Sequence, residues 1–279
     1  MPARPFTLSI DGRDLAGLVD LPGEPGPRPV VVICHGFKGF MEWGFFPYLA
    51  ELLAERGFAT VRFNLTGAGM RPGDDRVTDL EAFRENTFSR ELAETLAVLA
   101  ALEEIAPGHV DPSRLGLLGH SRGGGTALLA AAHPAWRERI AALVTWAAVS
   151  TFDRAGAAEK EQWRRRGELT VVNTRTGQEL PLGLTLLEDY EAHRADLDLL
   201  AAAGRRSAPW LIVHGEEDES VPVAEARPLH AAAAPPRDLL LVPGAGHTFG
   251  AKHPFAGPTP YLIEAINATQ TWFRRHLRP

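Results

Sequence analysis

Short apolar runs alternate along the chain with longer segments in which apolar residues recur at helical spacing. The runs are rich in β-branched residues and are bounded by glycine or proline, as expected of strands buried on both faces. They cover residues 30–34, 59–63, 114–118, 140–149, 210–214 and 239–242. The segments between them are rich in alanine, leucine and glutamate and predict helices over residues 45–56, 80–105, 121–133, 223–233 and 261–276.

This alternation predicts an α/β fold with a mostly parallel central sheet, because parallel strands need a crossover, usually a helix, between them. Right-handed crossovers then put helices on both faces of the sheet. The stretch 6–20 differs, because it contains the turn pair Asp11-Gly12. We therefore expect an antiparallel hairpin at the N-terminal edge of the sheet.

One long segment interrupts the alternation. Residues 151–209 are rich in charge and irregular in period, and a connection of this length inside a compact domain is usually a functional insertion. We interpret it as a partly helical cap over one end of the sheet. The predicted organisation is a single core formed by residues 1–150 and 210–279, with the cap inserted at 151–209.

Composition and charge narrow the classes of protein to consider. The 279-residue chain is 45% hydrophobic and 23% charged, which is ordinary for a globular protein. Its net charge of −6 disfavours nucleic acid as a partner, and its one cysteine, Cys34, rules out an internal disulfide. Residues 1–10 lack the features of a signal peptide, and no stretch is apolar enough to cross a bilayer. We therefore expect a soluble cytoplasmic protein with no membrane partner.

The strongest chemical signal is the pentapeptide Gly119-His120-Ser121-Arg122-Gly123, which lies between a predicted strand and a predicted helix. A G-x-S-x-G sequence in this context is typical of the nucleophile elbow, a sharp strained turn that presents the serine hydroxyl beyond the end of the sheet. Glycines are needed because side chains there would collide with the strand and the helix. The alternative interpretation is a glycine-rich helix start with a capping serine.

A serine nucleophile needs a general base, and the base needs an orienting carboxylate. Asp218 follows the penultimate predicted strand and His247 follows the last one. The chain order Ser121, Asp218, His247, with each residue beyond the carboxyl end of a strand, is that of an α/β-hydrolase triad. Asp153, which follows the preceding strand, is the alternative acid, and His253 is the alternative base.

The chain resembles the α/β-hydrolase superfamily over essentially its whole length, and within it dienelactone-hydrolase-like proteins and acyl esterases or serine aminopeptidases. Four motifs carry the resemblance: the run His-Gly-Phe-Lys-Gly at 35–39, the elbow, the run His-Gly-Glu-Glu-Asp ending at Asp218, and the run Gly-Ala-Gly-His ending at His247. The family's oxyanion hole uses the amides after the first His-Gly pair and after the nucleophile, which implies Phe37 and Arg122. Dienelactone hydrolase has cysteine at the elbow, where this chain has serine.

Other residues near these motifs are candidates for the substrate pocket or for structural support. We expect Lys38, Phe40 and Trp43, which follow the first His-Gly pair, to line the substrate pocket, with packing as the alternative role of the aromatic residues. His35 is interpreted as shaping the oxyanion turn through hydrogen bonds, and His120 as a packing residue. The ten histidines lack metal-ligand spacing, so no metal and no cofactor are expected.

The leading hypothesis is a serine hydrolase that cleaves carboxylic esters of small or medium acyl groups, with a small-molecule ester as its partner. An aminopeptidase or amidase on the same triad is the alternative, because amide and ester cleavage share an intermediate. Acyl transfer is third and needs a site that excludes water. From another class, a catalytically silent binding protein on this fold remains an alternative, because fold alone does not determine function. Homodimer formation is left open.

Overall fold

The computed structural model describes residues 3–279, and its strands form one large sheet and one small sheet. In chain order the strands are β1 (Arg4–Ile10), β2 (Arg13–Asp20), β3 (Arg28–Cys34), β4 (Ala59–Phe63), β5 (Val110–His120), β6 (Ile140–Trp146), β7 (Glu168–Asn173), β8 (Gln178–Gly183), β9 (Trp210–Gly215) and β10 (Arg237–Val242). Strands β7 and β8 form the small sheet, and the other eight form the large sheet in the order β1-β2-β4-β3-β5-β6-β9-β10.

The pairing within the large sheet confirms the predicted fold class. Strands β3, β4, β5, β6, β9 and β10 run parallel to their neighbours within this group. Strands β1 and β2 form the predicted antiparallel hairpin, in which Ile10 pairs with Arg13 across the turn. Asp11 in that turn has a φ of 49°, a conformation that aspartate tolerates better than most residues. The hairpin joins the sheet because β2 pairs antiparallel with β4.

The helices fill the connections between the strands. They are α1 (Phe46–Ala54), α2 (Leu80–Arg84), α3 (Phe88–Ala100), α4 (Leu102–Ile105), α5 (Arg122–Ala132), α6 (Ala157–Arg166), α7 (Leu184–Ala192), α8 (Leu199–Arg205), α9 (Ala226–Ala232) and α10 (Pro260–Leu277). Within residues 3–279, no helix combines the length and the apolar character needed to cross a membrane.

The segment 80–105 was predicted as one helix but forms three, α2, α3 and α4. The prediction of a single continuous helix was therefore wrong. The Asp79 side chain accepts a hydrogen bond from the backbone N–H of Ala82 and begins α2, and the Thr87 side chain accepts one from Arg90 and begins α3. Each cap satisfies a backbone donor that the start of a helix leaves free, which favours a new helix start over a continuous helix.

Two apolar clusters show that helices cover both faces of the large sheet. Along β3, the buried residues Val30 and Val32 pack on the face that carries α3, α5, α8 and α9, whereas Val31 and Ile33 pack on the face that carries α1 and α10. Burial of each such side chain stabilises the fold by about 1.5–3 kcal/mol. This two-sided burial explains why the strands are continuously apolar rather than alternating.

The insertion at 151–209 contains α6, the hairpin β7–β8, α7 and α8. The indole N–H of Trp163 in α6 donates to the carbonyl oxygen of Leu182 in β8 at 3.0 Å, which ties the helix to the hairpin. The last helix of the insertion, α8, packs against α5 and α9 of the core. The boundary predicted at residue 209 was therefore placed too late, because α8 belongs to the helical layer that covers the sheet.

Candidate active site

Ser121 occupies the turn between the end of β5 and the start of α5, as the strand–turn–helix context predicted. Its backbone has a φ of 58° and a ψ of −124°, a conformation that costs a non-glycine residue about 1–3 kcal/mol. A side chain at Gly123 would place its Cβ atom 2.3 Å from the carbonyl oxygen of His35. Only glycine therefore lets α5 approach the end of β3 this closely, and this packing holds the strained turn in place.

Asp218 and His247 lie in the loops after β9 and β10, which are neighbours in the sheet. The Nδ1 atom of His247 lies 2.8 Å from Oδ2 of Asp218. Oδ1 of Asp218 accepts hydrogen bonds from the backbone N–H groups of Ser220 at 2.9 Å and Val221 at 2.8 Å. These contacts orient His247 with Nδ1 toward the carboxylate, which leaves its Nε2 atom available to accept a proton.

His214, a fully buried residue of β9, supports the carboxylate. Its Nε2 atom lies 2.8 Å from the carbonyl oxygen of Val221 and 3.5 Å from Oδ2 of Asp218. Burial by itself would raise the pKa of Asp218, but hydrogen bonds from His214, His247 and the Val221 amide outweigh it and hold the pKa well below its usual range. Sequence reasoning missed His214, although the His-Gly pair before the acid was the available signal.

The loop after β3 passes directly against the elbow. A Cβ atom on Gly36 would lie 2.9 Å from Cβ of Ser121 and 3.4 Å from the backbone nitrogen of Arg122. Phe37 follows in this loop and lines the same cavity as Ser121. The Arg122 amide is the first of α5, and the first amides of a helix have no acceptor within the helix. Both amides predicted for the oxyanion hole therefore belong to segments that flank the serine.

The two histidines interpreted as structural have that role. Nδ1 of His35 donates to the carbonyl oxygen of Gly36 at 2.9 Å, while its Nε2 accepts from the backbone N–H of Leu65 at 3.1 Å. Nε2 of His120 donates to the carbonyl oxygen of His247 at 2.9 Å. A neutral imidazole satisfies each of these contacts, and a second proton on His35 would abolish its bond from Leu65.

These two histidines should make the folded state sensitive to acid. Burial lowers the pKa of His35 to about 4, and burial together with the neighbouring His247 lowers that of His120 to about 3. Because an unfolded histidine titrates near ~6.5, the unfolded chain binds protons first as the pH falls below that value. We expect the free energy of unfolding to decrease from about pH 6.5 downward, by on the order of 3 kcal/mol per histidine at about pH 4.

Urea unfolding of the wild type and of His120→Gln at several pH values tests this expectation. The glutamine amide can donate to the same carbonyl oxygen, but it does not titrate. The urea midpoint of the variant should therefore fall less steeply between neutral and acidic pH. Equal slopes for the two proteins would show that His120 does not carry the acid sensitivity.

A cavity of about 420 Å³ opens at the elbow and is lined by both Ser121 and His247. This volume lies within the range of small-molecule sites, roughly 300–1,000 Å³. The core contributes Phe88 to its walls, and Phe152 adds to them from the start of the insertion. The insertion contributes a second, mostly apolar wall made of Trp163, Leu169, Val171, Leu182, Leu186 and Tyr190. The insertion thus covers the elbow, and apolar surface dominates the space in front of the serine.

Of the three residues predicted for the pocket, Lys38 lines this cavity, whereas Phe40 and Trp43 do not. The backbone N–H of Gly39 donates a hydrogen bond to the carbonyl oxygen of Gly36 at 3.0 Å. Because this bond closes a tight turn, the residues that follow are directed away from the elbow. Phe40 is 2% exposed and meets the ring of His253 edge-on, and Trp43 stacks on the same ring. The prediction for Phe40 and Trp43 was therefore wrong.

The alternative acid and the alternative base have other partners. Asp153 lines the cavity, but its carboxylate forms an ion pair with Lys160 of α6. Nδ1 of His253 accepts a hydrogen bond from the backbone N–H of Gly44 at 3.0 Å. Of the candidate acids and bases, Asp218 and His247 are therefore the two that contact each other.

Comparisons with known proteins agree with this architecture. A family model for the alpha/beta hydrolase fold matches residues 29–167. The chain is 25% identical over 283 residues to an uncharacterized 31.7 kDa protein from the traX-finO intergenic region of Escherichia coli, with 90% of this chain and 92% of that protein covered. The strand order, the elbow and the family match together define an α/β-hydrolase fold.

Solved structures share the fold at low sequence identity. Est1E from Butyrivibrio proteoclasticus, in a structure with ferulic acid bound, is similar with a TM-score of 0.74 and 23% identity, covering 98% of this chain and 100% of that one. Dienelactone hydrolase from Anabaena variabilis is similar with a TM-score of 0.64 and 19% identity, covering 99% of each chain. Together with the family model that matches residues 29–167, these likenesses show that the chain has the α/β-hydrolase fold.

Proposed function

We propose that this protein is a serine hydrolase that cleaves carboxylic esters of small or medium acyl groups through an acyl-serine intermediate. The observation that carries the proposal is that Ser121, on its strained turn, and His247, bonded to the buried carboxylate of Asp218, line one apolar cavity. A strained serine and an oriented histidine at the same cavity are the two parts that acyl transfer to a hydroxyl requires.

In the acylation step, Nε2 of His247 accepts the proton of the Ser121 hydroxyl as Oγ forms a bond to the ester carbonyl carbon. The carbonyl oxygen becomes an oxyanion that the amides of Phe37 and Arg122 bind, each donor being worth roughly 10²–10³ in rate. The tetrahedral intermediate collapses when the bond to the alcohol oxygen breaks. The leaving alcohol takes the proton from His247, and the acyl group remains on Ser121.

Deacylation reverses these roles with water as the nucleophile. His247 accepts a proton from water as the water oxygen attacks the acyl carbon, and the bond to Oγ then breaks. The proton returns from His247 to Ser121, and the carboxylic acid leaves. The low pKa of Asp218 supports both steps, because an ionised carboxylate stabilises the imidazolium that forms each time.

Labelling with a fluorophosphonate probe tests the proposal directly. We expect one adduct, located on Ser121 by mass spectrometry of the tryptic peptide, and turnover of p-nitrophenyl esters that exceeds turnover of aminoacyl p-nitroanilides. Ester preference is expected because Lys38, a cation with no carboxylate partner within residues 3–279, lines the cavity and would repel the ammonium group of an aminopeptidase substrate. A protein that neither labels nor turns over esters would instead be a silent binding protein on this fold.

A further inference from the structure

Lys38 differs from the other cationic side chains that line the cavity, because it has no carboxylate partner within residues 3–279. Its half-buried ammonium donates to the carbonyl oxygen of Val172 in β7 at 3.2 Å and lies 5.4 Å from the ring centroid of Phe37. An ammonium has three N–H donors. The contact with the hairpin occupies one of them, so two remain for a ligand in the cavity.

The other three cations of the cavity wall are neutralised by neighbouring carboxylates. The pairs are Arg122 with Glu91 at 3.3 Å, Arg154 with Glu225 at 2.7 Å, and Lys160 with Asp153. The remaining carboxylate of the wall, Glu159, is exposed in the first turn of α6, where water screens its charge. The charge of Lys38 is therefore the unbalanced charge inside the cavity.

The surroundings of Lys38 favour a negative group next to it. The Arg122 guanidinium stacks 4.0 Å from the ring centroid of Phe37, the same ring that Lys38 approaches. Burial, and then the nearby Arg122, lower the pKa of Lys38. Both effects disfavour the charged ammonium, and the negative charge of an anion bound at this point would offset them.

We propose that Lys38 recognises a carboxylate carried by the substrate, so that the natural substrate is an ester with an anionic end and an apolar body. The apolar body packs against the wall that the insertion supplies, which includes Trp163, Leu182 and Leu186. A carboxylate fits because it matches the single unbalanced charge, and its oxygens accept the two free N–H donors. This inference rests on the proposed function, since it names the substrate class of the same site.

Labelling rates with three matched probes test the inference. The probes are alkyl fluorophosphonates of equal chain length that end in a carboxylate, a methyl or an ammonium group. In the wild type, we expect the carboxylate probe to label Ser121 about ten- to a hundredfold faster than the methyl probe, as a charge-assisted hydrogen bond implies. Lys38→Met should abolish this preference, and Lys38→Glu should transfer it to the ammonium probe. Lys252→Met, which removes an exposed lysine outside the cavity, is the control.

The outcomes separate this inference from the proposed function. Labelling by the methyl probe with no gain for the carboxylate probe in the wild type would overturn the role of Lys38 and leave the serine hydrolase intact. Absence of labelling by all three probes would overturn both. A carboxylate preference that survives in Lys38→Met would assign anion recognition to another residue and so contradict the inference.

Discussion

Replacing Ser121 with alanine is expected to lower kcat/KM for ester substrates by about 10⁴- to 10⁶-fold, the effect typical of losing a serine nucleophile. The hydroxyl supplies the oxygen that carries the acyl group, and the variant has no other hydroxyl on the elbow. Steady-state assays with p-nitrophenyl butyrate would measure the loss, with circular dichroism to verify the fold. Retention of more than about one hundredth of the wild-type rate would exclude Ser121 as the nucleophile.

Ser121→Gly is the matched variant, because it also lacks the hydroxyl but can adopt a φ of 58° without a Cβ clash. It should be as inactive as Ser121→Ala. It should also be more stable than the alanine variant by about 1–2 kcal/mol, since only alanine retains the strain of the turn. Chemical denaturation of the two variants would measure this difference. Equal stability would mean that the turn is not strained in solution.

Replacing Asp218 with asparagine is expected to lower kcat by about 10⁴-fold. The asparagine oxygen can still accept from the backbone amides of Ser220 and Val221, so the turn should persist. Its NH₂ group, however, would face Nδ1 of His247 and favour the tautomer with the proton on Nε2. That tautomer cannot accept the proton of Ser121, and the positive charge of the imidazolium would lose its counterion.

Asp153→Asn is the control for the acid, because this carboxylate lines the same cavity but pairs with Lys160. We expect it to change kcat by less than about tenfold, as for an interaction outside the proton-transfer chain. Parallel assays of the two variants decide between the candidates. A larger loss for Asp153→Asn than for Asp218→Asn would transfer the orienting role to Asp153.

Local sequence signals were sufficient for the architecture and for the residues proposed as the triad. Strand and helix periodicity predicted the parallel sheet because buried strands must be apolar along their whole length, and the glycines of the elbow reported a close approach of backbones. The order of Ser121, Asp218 and His247 along the chain was informative because parallel strands end at one edge of the sheet. The periodicity and the glycines lie within a few residues of the features that they predict, whereas the chain order is interpreted through the rule that parallel strands share a carboxyl edge.

The tertiary structure decided which of the neighbouring side chains meet at the serine. It brought His214 to the carboxylate of Asp218 and directed Lys38 into the cavity, while Phe40 and Trp43 turned toward His253. It also formed the hairpin β7–β8 in the insertion and placed α8 in the core layer.

The sequence by itself determined the fold class, the elbow and the chain order of the proposed triad, because each depends on interactions between residues close in the chain or on the rule that parallel strands share a carboxyl edge. Only the tertiary structure decided the walls of the cavity and the balance of charge within it. Those depend on contacts between residues such as Lys38 and Val172, which are 134 positions apart in the chain, and no local pattern specifies which distant side chains will pack together.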